Sequence, residues 1–572
     1  MKLIYRYMKP FFPRMVLGFV IKFLGTVMDL LLPWILAYII DEIVPHSDIV
    51  MVFIWGGVML LCAVIAVLGN IIANRMASAV SSDSIRVLRN DVFSAIMDLS
   101  CRQVDEFSQS TLISRMTSDT YNVHQIMGSM QRLGVRAPIL LIGGIAVTMT
   151  LDPVLSFILV CTLPFLAVVV FYVAKNGIPL YNEHQKASDL MIGRVRESIS
   201  GIRVIKALSK GDYERERFEN INSTVVDKEK KAGITMALTS PVMNFLLNMG
   251  WVAIIIVGAV RVNAGLTAPG KIIAFLTYFT IILNAMLSIT RLFVMFSRAG
   301  SSAARIEEIL EAQPEILKQP ANDKVSGQSD LPYIVFDDVS FSYNGRVNNI
   351  SNISFSVEKG QRLGIIGATG SGKSTIINLL MRFYDASSGN IYIDGRDVRS
   401  YDVGKLRELF GAVFQNDMLF EDTVLENIKL DRQISDQGVE KAAETARIDS
   451  HIRRMEDGYN SYLAIRGNNL SGGQKQRMLI ARAVAGNPSI LVLDDSSSAL
   501  DYKTDAGIRK NIRKLGEDIT TIIVAQRVSS VMDCDKILVI DEGRIAGVGS
   551  HDELMKNCRI YERISRLQQG LS

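Results

Sequence analysis

Gly367-Ala368-Thr369-Gly370-Ser371-Gly372-Lys373-Ser374-Thr375, set directly after the apolar run Leu363-Gly364-Ile365-Ile366, decides how the chain reads. Its spacing is G-x-x-x-x-G-K-S, that of a phosphate-binding loop. Glycines let the backbone curl so that successive N–H groups point inward. A helix beginning near Ser374 would turn its positive end on the same spot. Lys373 then reaches the terminal phosphates of a nucleotide as a mobile point charge, and the Ser374 hydroxyl completes the coordination of Mg2+.

The chain has 572 residues, too many for one core, and its composition changes along its length. Residues 1 to about 300 carry long apolar runs, and the remainder has the mixed composition of a soluble domain. The net charge is only +4, so nothing global points to nucleic acid as a partner. Cys62, Cys101, Cys161, Cys534 and Cys558 show neither metal-ligand spacing nor a pairing pattern, consistent with a reducing compartment. The first apolar stretch is too long for a cleavable signal peptide and lacks a small-residue cleavage site.

Six stretches are apolar enough to cross a bilayer: 15–40, 49–72, 137–151, 153–174, 243–262 and 271–296. Lys2, Arg6, Lys9 and Arg14 precede the first, and Lys or Arg recur between Arg75 and Arg136 and between Lys175 and Lys231. Loops 41–48 and 150–153 have none. The positive-inside rule then places both termini in the cytosol. The two long inner connections still read as helix, through patterns such as Ile192, Val195, Ile199 and Ile202. Structureless loops of that length are uncommon, so the expectation is that the membrane helices continue into the cytosol. They would turn near Glu106 to Leu112 and near Leu208 to Glu214. The domain boundaries expected are a cytosolic elbow at 1–14, a six-span domain at 15–300, a linker at 301–331 containing Pro314, Pro320 and Gly327, and a second domain at 332–572.

That second domain alternates short apolar runs with helical patterns, the mark of a mostly parallel sheet flanked by helices. The fold class expected is therefore a multi-domain membrane protein: an all-α six-helix transmembrane domain with long intracellular helices, followed by an α/β P-loop nucleotide-binding domain. In open α/β sheets ligands sit at the carboxyl ends of the strands. Leu363–Ile366 before the phosphate loop, Ile490–Leu493 before Asp494 and Asp495, and Ile522–Ala525 before Gln526 would converge there. Asp494 is the natural magnesium partner. Further back, Leu470-Ser471-Gly472-Gly473-Gln474 precedes a helical run. Ser471 with Gln474 fits a capping box, and two glycines at a helix start also leave room for a phosphate.

LSGGQKQR between the phosphate loop and the Asp494 strand resembles the signature of the ATP-binding cassette transporters. Essentially the whole chain is similar to an exporter-class half-transporter, six spans followed by one cassette. The resemblance implies ATP and Mg2+ as cofactors and two paired chains whose cassettes sandwich two ATP molecules. Each site then takes its phosphate loop from one chain and the signature, here Ser471, Gly472, Gly473 and Gln474, from the other. By the same resemblance Tyr343 in FSY stacks on adenine and Gln415 in VFQND reaches magnesium and the membrane domain. Ser498, Ala499, Leu500 and Asp501 form the loop that speaks across the interface, and the inner turns are coupling helices.

Three places depart from the family pattern. Asp495 stands where the family has the Glu that acts as general base, and Gln526 stands where it has a histidine. Ala464-Ile465-Arg466-Gly467 replaces Gly-Glu-Arg-Gly ahead of the signature. Aspartate is one methylene shorter than glutamate, about 1.5 Å, and glutamine cannot carry charge near neutral pH. An intact signature beside a weakened site implies a heterodimer with a second half-transporter that supplies Glu and His. A slow homodimeric exporter and an ATP-binding regulatory subunit remain alternatives at this point. The setting expected is a bacterial-type plasma membrane. For substrate, most of the 24 methionines lie in the membrane half, Lys22 and Asp29 share a face of the first span, and Arg291 lies in the last. A small molecule, a peptide or a lipid all fit these features.

Overall fold

The computed structural model describes residues 1–316, 331–496, 499–516 and 518–568. The linker residues Pro320 and Gly327, and Ser498, lie outside the described residues. The chain divides into two compact units, one comprising Met1–Asp98 with Ser108–Ala312, the other Leu99–Phe107 with Gln313–Ser572.

The first unit is entirely helical, and among the described residues it contains six helices long and apolar enough to cross a membrane. Helix Ile49–Asp98 is unbroken over 50 residues. At 1.5 Å per residue it runs about 75 Å, far more than the roughly 30 Å of a hydrocarbon core. Helix Thr120–Leu151 likewise begins well before the apolar stretch expected at 137–151, and helix Pro269–Glu311 continues well past 296. The inner connections are thus extensions of the spans. Helices pack closely where small residues meet: a Cβ on Gly25 would lie 3.3 Å from the Ala66 carbonyl oxygen, so a side chain there would press the first two spans apart by a few tenths of an ångström. The extensions are pinned by ion pairs. Arg305 Nε donates to Asp119 Oδ2 at 2.9 Å, and the buried Arg194 donates to both oxygens of Glu214 at 2.8 and 2.9 Å.

The second inner turn falls where expected, between helices Ile202–Ala207 and Gly211–Ala237, with Ser209 at φ 51°. The first also falls within the expected segment, Glu106 to Leu112. Helix Cys101–Phe107 belongs with the second unit, and the reversal comes at Ser108, φ 64°, whose hydroxyl accepts from the Thr111 N–H. Within the second unit Gln103 Nε2 donates to the Gln313 carbonyl at 2.8 Å, and the Tyr384 hydroxyl donates to Asp105 Oδ2 at 2.7 Å.

The rest of the second unit holds two sheets. One is antiparallel, order β2-β1-β4-β5, from β1 Ile334–Phe341, β2 Ile350–Val357, β4 Ser388–Ile393 and β5 Arg396–Asp397. The other has order β10-β9-β3-β8-β7-β6. It comprises β3 Arg362–Gly367, β6 Phe410–Val413, β7 Ile490–Asp494, β8 Thr520–Ala525, β9 Lys536–Asp541 and β10 Arg544–Gly549. All its pairings are parallel except that of β9 with β10. The mostly parallel sheet is the one the sequence pattern predicts. Its central strands are buried on both faces, which is why they read as continuous apolar runs rather than alternations.

Candidate functional site

Strand register gathers the site. Gly367 at the end of β3 is level with Ile540 of β9, and Ile366 is level with Ala525 of β8. Asp494 of β7 pairs with Val524 of β8, and Val413 of β6 pairs with Leu493. The phosphate loop, Gln526, the Asp494–Asp495 pair and the segment Phe414–Gln415 therefore all leave the sheet at one edge. Gln415 is exposed there.

The loop itself is a turn that only glycine can build. Gly370 and Gly372 have φ of 81° and 100°, and a Cβ on Gly372 would fall 2.6 Å from Ile350 Cγ2. The turn Asp541–Gly543 braces it, because the Gly543 N–H donates to the Ser371 carbonyl at 3.2 Å. Ala368 and Thr369 form its leading limb. Helix Lys373–Leu380 starts from it, one residue earlier than expected, with Thr375 buried in the first turn. The Ser374 hydroxyl donates to Asp494 Oδ2 at 2.8 Å across 120 residues of sequence, so the two side chains expected to share magnesium are in direct contact. Lys373 Nζ donates to the carbonyls of Gly367 and Ala368 at 3.0 and 2.8 Å, folded back over the loop. Ser371 Oγ is buried with no hydrogen-bond partner. A buried hydroxyl without a partner, in a loop that leads into a helix N-terminus, fits an anionic ligand such as a nucleotide phosphate.

The charges respond to this crowding. Burial pushes the Lys373 ammonium below its ordinary range, opposed by Asp494 and Asp495. It pushes the Asp494 carboxyl up, with Asp495 adding and the Ser374 hydrogen bond and Lys373 opposing. Asp495 is also raised by burial, against Lys373 and Arg527. Asp495 adopts φ 50°, its N–H donates to the Val524 carbonyl at 2.9 Å, and its Oδ2 accepts from Gln526 Nε2 at 3.5 Å. Asp495 and Gln526, two of the positions read as departures from the family pattern, are thus neighbours.

Tyr343 is half-exposed beside the loop's helix, where Asn378 Nδ2 donates to its hydroxyl at 3.0 Å. Phe341 and Tyr384 pack edge-on to it at 4.8 and 5.0 Å. The signature forms the capping box its sequence spells: the Ser471 N–H donates to Gln474 Oε1 at 2.7 Å and Ser471 Oγ accepts from the Gln474 N–H. Gly472 and Gly473 lie against Ala499, with a Gly473 Cβ only 3.2 Å from the Ala499 carbonyl oxygen. Asp501 caps helix Tyr502–Arg513 by accepting from the Thr504 N–H at 2.9 Å. The signature glycines therefore lie against Ala499 and Leu500, which lead directly into Asp501. Ile465 is exposed and Arg466 takes φ 58° in the segment before the signature.

Two ties escaped sequence reasoning. Arg482, buried on the signature helix Gly472–Val484, donates to the carbonyls of Asn427 and Met418 at 2.7 and 2.8 Å, which links the signature to the segment after Gln415. Gln568, near the chain's end, donates to the Gln526 carbonyl at 2.7 Å and accepts from the Val528 N–H at 2.8 Å. Arg482 carried a faint signal, an arginine inside an apolar helical run. Gln568 carried none.

Comparison with known proteins agrees with this construction. Residues 15–286 match the family described as ABC transporter transmembrane region, and residues 350–498 match ABC transporter. An ABC transporter ATP-binding protein of Mycobacterium tuberculosis is 33% identical over 571 residues, covering 99% of this chain and 98% of the relative. YfiB of Bacillus subtilis, another ABC transporter ATP-binding protein, is 33% identical over 567 residues, again covering 99% and 98%. A solved bacterial Atm1-family ABC exporter with ATP bound superposes with a TM-score of 0.81 at 25% identity, covering 98% of both chains. With six membrane-length helices and an ATP-binding domain fused in one polypeptide, the chain belongs to the ABC transporter family, as an integral membrane half-transporter of the exporter type.

Proposed function

We propose that this half-transporter is one subunit of a heterodimeric exporter in the plasma membrane, with both termini cytosolic. It would move an amphipathic or hydrophobic substrate outward. The site on its own phosphate loop binds ATP and hydrolyses it slowly, and its signature completes the competent site of a partner that supplies Glu and His. One observation carries this reading: Asp495 and Gln526 stand side by side, 3.5 Å apart, where the family places its base and its histidine. The burial that raises Asp495 makes it more basic, so reach rather than basicity limits it as a base. A misplacement of about 1 Å costs on the order of 10²-fold.

The roles of the remaining residues follow from their positions. Gly367 to Thr375 cradle the phosphates, Lys373 swings from the loop carbonyls to the terminal phosphate, and Tyr343 takes the adenine. Ser374, Asp494 and Gln415 would hold a magnesium ion, which neutralises developing phosphate charge. Ser471 to Gln474 and Asp501 face the partner's ATP. ATP binding draws two cassettes together and biases the membrane helices toward an outward-facing state, and hydrolysis at the competent site resets them.

The test is Ser471→Ala in this chain, compared with the same change in the partner's signature. The first is expected to lower the ATPase of the purified complex by about 10²-fold, the scale of one lost charge-stabilising donor. The second removes a donor only from the slow site and has a much smaller effect. Equal losses would contradict the assignment.

A further inference from the structure

The helical unit contains a cavity of about 630 Å³ whose chemistry is divided along its length. Leu141, Phe171, Met286 and Ile289 give it an apolar body. Asn182, Ser297 and Arg298 form a polar end. Helix Pro269–Glu311 orders these residues: Met286 and Ile289 come first, Ser297 and Arg298 two to three turns later. From Pro269 to Arg298 the helix runs about 44 Å, against about 30 Å of hydrocarbon, so the polar end sits at a membrane–water boundary and the apolar body within the membrane.

The charge at that end is unbalanced. Two other arginines of this unit are met by acids, Arg136 by Asp29 at 3.1 Å and Arg261 by Asp152 at 3.2 Å, while Lys22 donates to the Asn74 side-chain oxygen at 2.9 Å. Arg298 has the Tyr181 ring, 6.0 Å from its guanidinium carbon, and no carboxylate partner among the described residues. Arg291, two turns earlier on the same helix, reaches only the Ser288 hydroxyl among the described residues, at 3.5 Å. A cation held without its counterion beside an apolar cavity of ligand size is complementary to a molecule with an apolar body and an anionic end.

We propose that this cavity is the entry site for the exported substrate and that the substrate is an amphipathic organic anion of drug size, its anionic group on Arg298 and its apolar body against Phe171, Met286 and Phe293. This rests on the exporter reading above and adds the substrate class. The fork of a guanidinium suits a carboxylate, sulfonate or phosphate better than a neutral hydroxyl, and it repels a cation of the same shape.

Three fluorescent probes with one apolar body test it: pyrenebutanoate, pyrenebutanol and pyrenebutyl-trimethylammonium. Each is offered to inside-out vesicles containing the complex purified with its native partner, and ATP-dependent uptake is read together with stimulation of ATPase. Pyrenebutanoate is expected to be taken up in preference to the other two. Arg298→Ala should raise its half-saturating concentration about tenfold, the scale of a lost charged hydrogen bond. Arg298→Lys should restore most of that loss. Phe293→Ala weakens uptake through the apolar body and leaves the preference for the anion in place, which separates loss of charge from misfolding. Preferential uptake of the cation or the alcohol, or an anion preference indifferent to Arg298, overturns the substrate class while leaving the exporter reading intact. No ATP-dependent uptake of any probe, with ATPase still running, overturns both.

Discussion

Lengthening Asp495 to Glu should restore hydrolysis at the site built on this chain's phosphate loop. The measurement needs the heterodimeric complex with the partner's own catalytic Glu replaced by Gln, so that only this site is read. The backbone is tethered where the shorter side chain leaves it. The Asp495 N–H is held on the Val524 carbonyl at 2.9 Å at the end of β7. Its carboxylate meets Gln526 only at 3.5 Å, the long limit of a hydrogen bond. The missing methylene, about 1.5 Å, is therefore missing reach. A displacement of about 1 Å is worth roughly 10²-fold and a full general base about 10² to 10⁴-fold, so Asp495→Glu is expected to raise the rate by about 10²-fold. Adding Gln526→His should give roughly tenfold more, by supplying a donor that can carry charge to the phosphate. Phosphate release under single-turnover conditions is the assay. Asp tolerates φ 50° better than Glu does, so a melting curve must accompany each variant. A complex whose unaltered site already hydrolyses within a few-fold of the double variant would refute the reasoning.

Three further perturbations follow from the geometry. Lys373→Ala should abolish binding at this site as read by titration with a fluorescent trinitrophenyl-ATP, because the ammonium is the loop's mobile cation; unchanged affinity would contradict that role. Arg482→Ala should destabilise the nucleotide-binding domain by about 3–5 kcal/mol, the scale for breaking a buried charged network, since it orphans the Asn427 and Met418 carbonyls. An unchanged midpoint in chemical denaturation would count against it. Magnesium-dependent ATP binding should weaken as the pH is lowered, and at higher pH than an ordinary carboxylate would dictate. The sign follows from Asp494: burial raises its carboxyl above the ordinary range, the protonated form cannot coordinate a cation, and protons compete at higher pH than for an exposed aspartate. Asp494→Asn should flatten that dependence, and an equally steep profile in the variant would assign it to another group.

What the sequence makes legible is what short-range backbone geometry dictates. Gly370 and Gly372 occupy positive φ because the loop must curl, and Ser471 with Gln474 closes the capping box its spacing announces. The burial of β7, β8 and β9 shows in their unbroken apolar runs. Contacts between distant segments are another matter. Nothing local says that Ser374 meets Asp494, beyond the rule that ligands gather at strand ends, and nothing at all says that Gln568 ties down Gln526. The antiparallel sheet of β1, β2, β4 and β5 also went unseen, because its short strands are interrupted by register shifts and by the phosphate loop itself. The first inner turn falls inside the stretch expected for it, Glu106 to Leu112, and the residue that makes the reversal, Ser108 capping onto Thr111, is the part the sequence did not single out. The two departures at Asp495 and Gln526 were visible as letters, and their adjacency was not.

The most direct test of the heterodimer is to tag this chain in its native host, extract it from membranes in mild detergent, and identify by mass spectrometry whatever copurifies in equal amount, with the ATPase rate of the same sample read alongside. The account predicts a second half-transporter carrying Glu and His at the positions matching Asp495 and Gln526, together with robust ATPase. Recovery of this chain alone, as a dimer that hydrolyses ATP briskly, would contradict it and make Asp495 a working base.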